Sequence, residues 1–144
     1  MRSYLIVGNE TLAGEALTQT ITDRLADGPM RARVVVPRTR IGGRLTWDVE
    51  EESTRVAVER LEGALERLRA LGIEADGEIG DRDPILAVKD AMRGREIDEI
   101  ILSTLPTGIS RWLGQDVPSR LKSAVSVPVV VVTAERAPVE AEGR

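Results

Sequence analysis

Short uninterrupted apolar runs, each separated from the next by a stretch with helical spacing, narrow the choice of folds for this chain. Tyr4-Leu5-Ile6-Val7 is the first run, Val34-Val35-Val36 the second, Ile100-Ile101-Leu102 the fourth and Val129 to Val132 the last. A strand with one wet face alternates in polarity, so a run without alternation marks a strand buried on both faces of a parallel sheet. The third segment reads differently. Ile73, Ala75, Gly77 and Ile79 alternate with Glu74, Asp76 and Glu78, which predicts a half-exposed strand at a sheet edge.

The intervening segments carry helical signals. Ala13, Leu17, Ile21 and Leu25 recur at intervals of four, and Gly28-Pro29 stops that helix. A second helix is predicted over 49–70 with Val58, Leu61, Leu65 and Leu68 on one face. Asp83 followed by Pro84 reads as the N-cap and first residue of a third helix, whose inner face would be Leu86, Ala87, Val88, Ala91 and Met92. A last helix is predicted over 117–124, and Pro128 sits at the start of the final strand, where a strand tolerates it. The order β-α-β-α-β-α-β-α-β predicts an α/β protein: one doubly wound open sheet of five mainly parallel strands, helices on both faces. One domain is expected over 1–133, and the polar segment 134–144 is expected to carry no fixed structure.

Composition removes whole classes of chemistry. Cysteine and histidine are absent, so disulfides, thiol nucleophiles, Cys/His zinc sites and imidazole bases are all excluded. Lys89 and Lys122 both fall in predicted helices, away from strand ends, and catalysis is not expected. Aromatic residues amount to Tyr4, Trp47 and Trp112, too few for a base-stacking platform. A formal net charge of −4 argues against nucleic acid or an anionic membrane as partner. No apolar run approaches the length of a membrane span or a signal-peptide core, so a cytoplasmic location is the expectation.

In an open parallel sheet, ligands bind beyond the carboxyl ends of the strands, where the strand order reverses. The segment after the fourth strand, from Ser103 to Asp116, is the richest such loop, with Ser103, Thr104, Gly108 and Gly114 ahead of a helix start. It reads either as an anion site built from backbone N–H groups or as a structural crossover with Trp112 buried in it. Asn9 after the first strand is either a ligand contact or the cap of the first helix. Arg38, Arg40 and Arg44 read as solvated surface more readily than as a phosphate clamp. Asp81 and Asp83 read as turn and cap residues, with no calcium or magnesium spacing around them.

The element order, Val35-Val36-Pro37, Gly80-Asp81-Arg82-Asp83-Pro84 and the segment Ser126-Val127-Pro128-Val129-Val130-Val131-Val132 together resemble the universal stress protein family over about residues 3–133. That resemblance implies the strand order 3-2-1-4-5, a stress-response regulator, often a homodimer. In one branch it implies ATP at the switch point between the first and fourth strands. Carried onto this sequence, the implied adenine-nucleotide or anion set is Asn9, Val36, Ser103, Thr104, Gly108, Gly114 and Gln115. The chain departs from the ATP-binding pattern at several of these. Asn9 stands in place of an Asp, Ser103 and Pro106 in place of two glycines, and Gln115 in place of a hydroxyl residue after Gly114. Pro106 has no N–H to offer a phosphate.

Two readings follow. The first is a stress-response protein binding an adenine nucleotide or other small anion; the second is an interaction module of the same fold that binds no nucleotide. A receiver domain fits less well, since Glu10 and Asp81 have no lysine after the last strand to complete the set. With that strand at a sheet edge, the uncharged row Val129, Val130, Val131 and Val132 invites pairing with a second copy, giving a two-fold homodimer.

Overall fold

In a computed structural model of the chain the described residues are 1–38, 47–105 and 116–134, the side chains of 47–53 excepted. The elements are β1 (Arg2–Val7), α1 (Glu15–Ala26), β2 (Met30–Pro37), α2 (Trp47–Ala70), β3 (Glu74–Gly80), α3 (Pro84–Met92), β4 (Glu99–Thr104), α4 (Val117–Ala124) and β5 (Val129–Thr133). They form one five-stranded sheet in the order β3-β2-β1-β4-β5, and every pairing is parallel. From β1 the chain builds outward through β2 to β3, then crosses back to lay β4 and β5 on the other side.

Parity along the strands divides the core into two layers. Tyr4, Ile6, Val34, Val36 and Ile101 face α1 and α2, which contribute Leu17, Ile21, Ala57, Ala64 and Leu68. Leu5, Val7, Val35, Ile100 and Leu102 face α3 and α4, which contribute Ala87, Val88, Ala91, Val117 and Leu121. Both faces of β1 are thus covered, and Tyr4 to Val7 are each at most 2% exposed. β3 has one face on the core and one face of Glu74, Asp76 and Glu78, as its alternation predicted. There Asp76 and Glu78 bind Arg33 from the neighbouring β2, a cross-strand pairing of opposite charges.

Several details differ from the sequence expectation, and the cause is helical phase. α1 starts at Glu15, so Ala13 precedes the helix and is exposed while Leu12 is buried in its place. Val58 turns outward, and the α2 stripe runs through Ala57, Leu61, Ala64, Leu65 and Leu68 instead. Leu86 is 48% exposed, leaving Ala87, Val88 and Ala91 as the buried face of α3. β5 begins at Val129. The Asp83 cap is as read: its carboxylate accepts from the Ile85 N–H at 3.0 Å, with Pro84 following. Asp81 accepts from the Asp83 N–H at 2.9 Å, the turn role assigned to it.

Two long-range contacts fasten helices to the sheet. Arg24 near the end of α1 grips Glu99 at the start of β4 with two bonds, Nε to Oε1 at 3.1 Å and Nη2 to Oε2 at 2.9 Å. The hydrogen bond to Glu99 raises the Arg24 pKa above its ordinary value, and desolvation opposes it less strongly. The second is steric. A Cβ at Gly77 would press into the Val34 carbonyl oxygen and come within 2.7 Å of Leu61 Cδ1, so α2 lies close against β3 only because position 77 has no side chain. Gly77→Ala should therefore destabilise the fold by about 1–3 kcal/mol, the usual range for forcing a methyl into packed space. The check is the urea midpoint; an unchanged midpoint would show that β2 and β3 can spread at no cost.

Candidate functional site

At the carboxyl ends of β1 and β4 the strand order reverses, and the structure gathers polar side chains there. Among the described residues the buried polar ones are Asn9, Thr11, Ser103 and Thr104, all on these two strand ends or the turn after β1. Core positions elsewhere are apolar, so this clustering is a property of the place. Gly8 makes it possible: a Cβ there would come 2.8 Å from Leu12 Cδ2 and 3.3 Å from Ser103 Cβ. Without a side chain at Gly8, the turn after β1 lies directly on the end of β4.

Asn9 does not cap the first helix. The N-cap of α1 is Gly14, which has no side chain to cap with, so that reading is corrected. Instead, Asn9 Nδ2 donates to the Pro37 carbonyl at 2.7 Å, and Asn9 Oδ1 accepts from Arg60 Nη1 of α2. The two contacts fix the amide's orientation, because a carbonyl only accepts and a guanidinium only donates. They also explain why an amide serves here where a carboxylate would not. The last carbonyl of β2 requires a donor, and an ionised aspartate has none.

Arg60 is a candidate site residue that the sequence did not single out. It lies three residues after Ala57 and four before Ala64, on the buried stripe of α2, and is only partly exposed. A charged residue in phase with an apolar stripe was the available signal. Its partner among the described residues is the neutral carboxamide of Asn9, so its charge is not balanced by a carboxylate there. On the other side of the turn, Thr11 Oγ1 and Ser103 Oγ share a hydrogen bond of 2.5 Å. Two hydroxyls sharing one bond leave one O–H free to donate elsewhere. Thr104 Oγ1 stands 3.4 Å from Thr133 Oγ1 of β5, a looser contact.

Of the expected set, Asn9 and Ser103 therefore lie at these strand ends with Thr11 and Arg60, whereas Thr104, one residue on, turns to the other face of the sheet, where it meets Thr133. Val36 is fully buried in the α1–α2 layer, so its side chain offers a ligand no surface. Gly108, Gly114 and Gln115 lie outside the described residues, as do Pro106, Trp112, Arg40 and Arg44. Arg38 donates its backbone N–H to the Gly80 carbonyl at 3.2 Å, joining the ends of β2 and β3. No group of three or more metal-ligating side chains occurs among the described residues. No helix among them is long and apolar enough to cross a membrane.

No family model matches this sequence, and no curated protein does. The solved structures do. A universal stress protein family protein from Burkholderia pseudomallei superimposes with a TM-score of 0.61 at 16% identity, over 90% of this chain and 94% of that one. A universal stress protein from Archaeoglobus fulgidus gives 0.59 at 19% identity, over 92% and 93%. A universal stress protein family protein from Arabidopsis thaliana, with AMP bound, gives 0.66 at 9% identity, over 94% and 93%. At such identities the likeness is one of fold, and it extends over nearly the full length of each chain. The parallel sheet ordered β3-β2-β1-β4-β5, with its helices on both faces, is the universal stress protein fold.

Proposed function

We propose that this chain is a stress-response protein of the universal stress protein type that binds, and does not transform, an adenine nucleotide or a similar small anion at the ends of β1 and β4. The observation that carries the reading is Arg60. A partly buried cation whose partner is a neutral amide favours an anion beside it, because bringing in a negative charge relieves an unbalanced one. The hydroxyls of Thr11 and Ser103 supply a donor on the other side of the same turn. The Arabidopsis neighbour, of the same fold, has AMP bound, which supports the ligand class. With neither histidine nor cysteine in the chain, the gathered groups bind and orient more readily than they transfer protons.

Calorimetric titration of AMP, ADP, ATP and inorganic phosphate tests this. Saturable binding of at least one nucleotide is expected, weakened about tenfold in Arg60→Gln, the usual worth of one charge-assisted hydrogen bond. Absence of nucleotide binding at millimolar concentration would overturn the reading and leave the interaction module.

We also propose that the chain forms a homodimer through β5. That strand is an edge, and Val129, Val130 and Val131 are only partly buried. Ile100 N–H donates to the Pro128 carbonyl and Ala134 N–H to the Thr104 carbonyl, so the even-numbered residues 130 and 132 turn their backbone groups toward β4. The N–H groups of Val129, Val131 and Thr133 then point to the open edge, ready for a second copy. Val131→Pro removes one of those edge donors without cutting the β4–β5 ladder. Sedimentation equilibrium should show a dimer at micromolar concentration and a weaker one for the variant; a soluble wild-type monomer would refute the proposal.

A further inference from the structure

Between α1 and α2 the structure holds a partly open cavity of about 240 Å³, whose lining also includes Leu12 from the turn after β1. Its floor is Ile6 and Val34 of the sheet, and its walls include Leu17 and Ile21 from α1 and Ala64 and Leu68 from α2. The pocket opens to solvent past Thr18, Arg67, Ala70 and Leu71, which are exposed. The chain has no phenylalanine, and α2 lines the pocket with the short side chains of Ala64 and Ala70. Its inner lining of Ile6, Leu17, Ile21, Val34, Ala64 and Leu68 is apolar and offers water few partners.

One cation stands at this cavity. Arg67 lines it, and its Nη2 donates to the Leu12 carbonyl at 3.2 Å, which draws the guanidinium from α2 toward the turn that leads into α1. Gly63, one turn back, makes room for it: a Cβ there would sit 3.3 Å from Arg67 Nη1. Arg67 makes no ion pair among the described residues, and a single carbonyl leaves most of its donors available. The other polar side chain at the cavity, Thr18, spends its hydroxyl on the Gly14 carbonyl. An apolar chamber with one guanidinium beside it matches a ligand that is apolar at one end and anionic at the other. It does not match a nucleotide, whose base and ribose need several polar partners.

We propose that the α1–α2 cavity is a second binding site, which takes a small apolar carboxylate: one ring or a short chain inside, the carboxylate on Arg67. The site is separate from the strand-end cluster and does not depend on nucleotide binding there. The probes are 3-phenylpropionate and its neutral counterpart 3-phenylpropanol, followed by calorimetry and by the methyl resonances of Leu17, Ile21, Ala64 and Leu68. Both probes should shift those methyls saturably, with the carboxylate bound more tightly. Arg67→Gln, a change at an exposed position, should weaken the carboxylate about tenfold and the alcohol by less than about twofold, as removal of one charge-assisted bond requires. Ala64→Leu, which fills the chamber, should abolish both. Unshifted methyls at millimolar probe, shifts confined to the ends of β1 and β4, or equal losses of acid and alcohol in Arg67→Gln would each overturn the proposal.

Discussion

β1 is hydrogen-bonded on both edges, to β2 and to β4, and covered on both faces, and the remaining architecture is arranged around it. A strand in that position has no surface left for water, so every residue from Tyr4 to Val7 must be apolar. Its carboxyl end is different. There the sheet stops, the neighbouring strands diverge toward helices on opposite faces, and the turn at Gly8 brings polar groups into a place the core would exclude. The same geometry that demands an apolar strand thus leaves buried polar side chains at its end.

The chemistry of that end depends on satisfying the last carbonyl of β2. Asn9 meets the requirement with its amide N–H₂ and offers its oxygen to Arg60. One side chain therefore ties β1, β2 and α2 together, and in doing so leaves a guanidinium with no carboxylate beside it among the described residues. An aspartate would balance Arg60 and forfeit the bond to Pro37. The amide makes the opposite choice: it keeps the bond to Pro37 and leaves the guanidinium facing a neutral group.

A related economy governs the α1–α2 layer. Gly77 lets α2 approach β3 closely, and the alanines along α2 keep that approach free of clashes. Small residues suit the contact with the sheet and leave the space between the two helices underfilled. Close packing on one side and a partly open cavity on the other thus border the same helix.

Burial of a strand on two faces or on one is written into each residue of that strand, so the central apolar runs and the alternating edge strand β3 were legible in the sequence alone. The Asp83 cap and the Asp81 turn were legible for the same reason: each bond spans two residues. Helical phase was legible only approximately. Ala13, Val58 and Leu86 fit a helical repeat and are exposed, because the sheet, not the helix, decides which part of an apolar stripe is covered. The site itself depended on tertiary structure. Asn9 meets Arg60 across 51 positions and Thr11 meets Ser103 across 92. Nothing local distinguishes an asparagine that caps a helix from one that joins two strands and a helix. Sequence determined which segments must be buried, since apolarity is a property of single residues; folding decided which polar groups share the end of β1, since that is a property of pairs far apart in the chain.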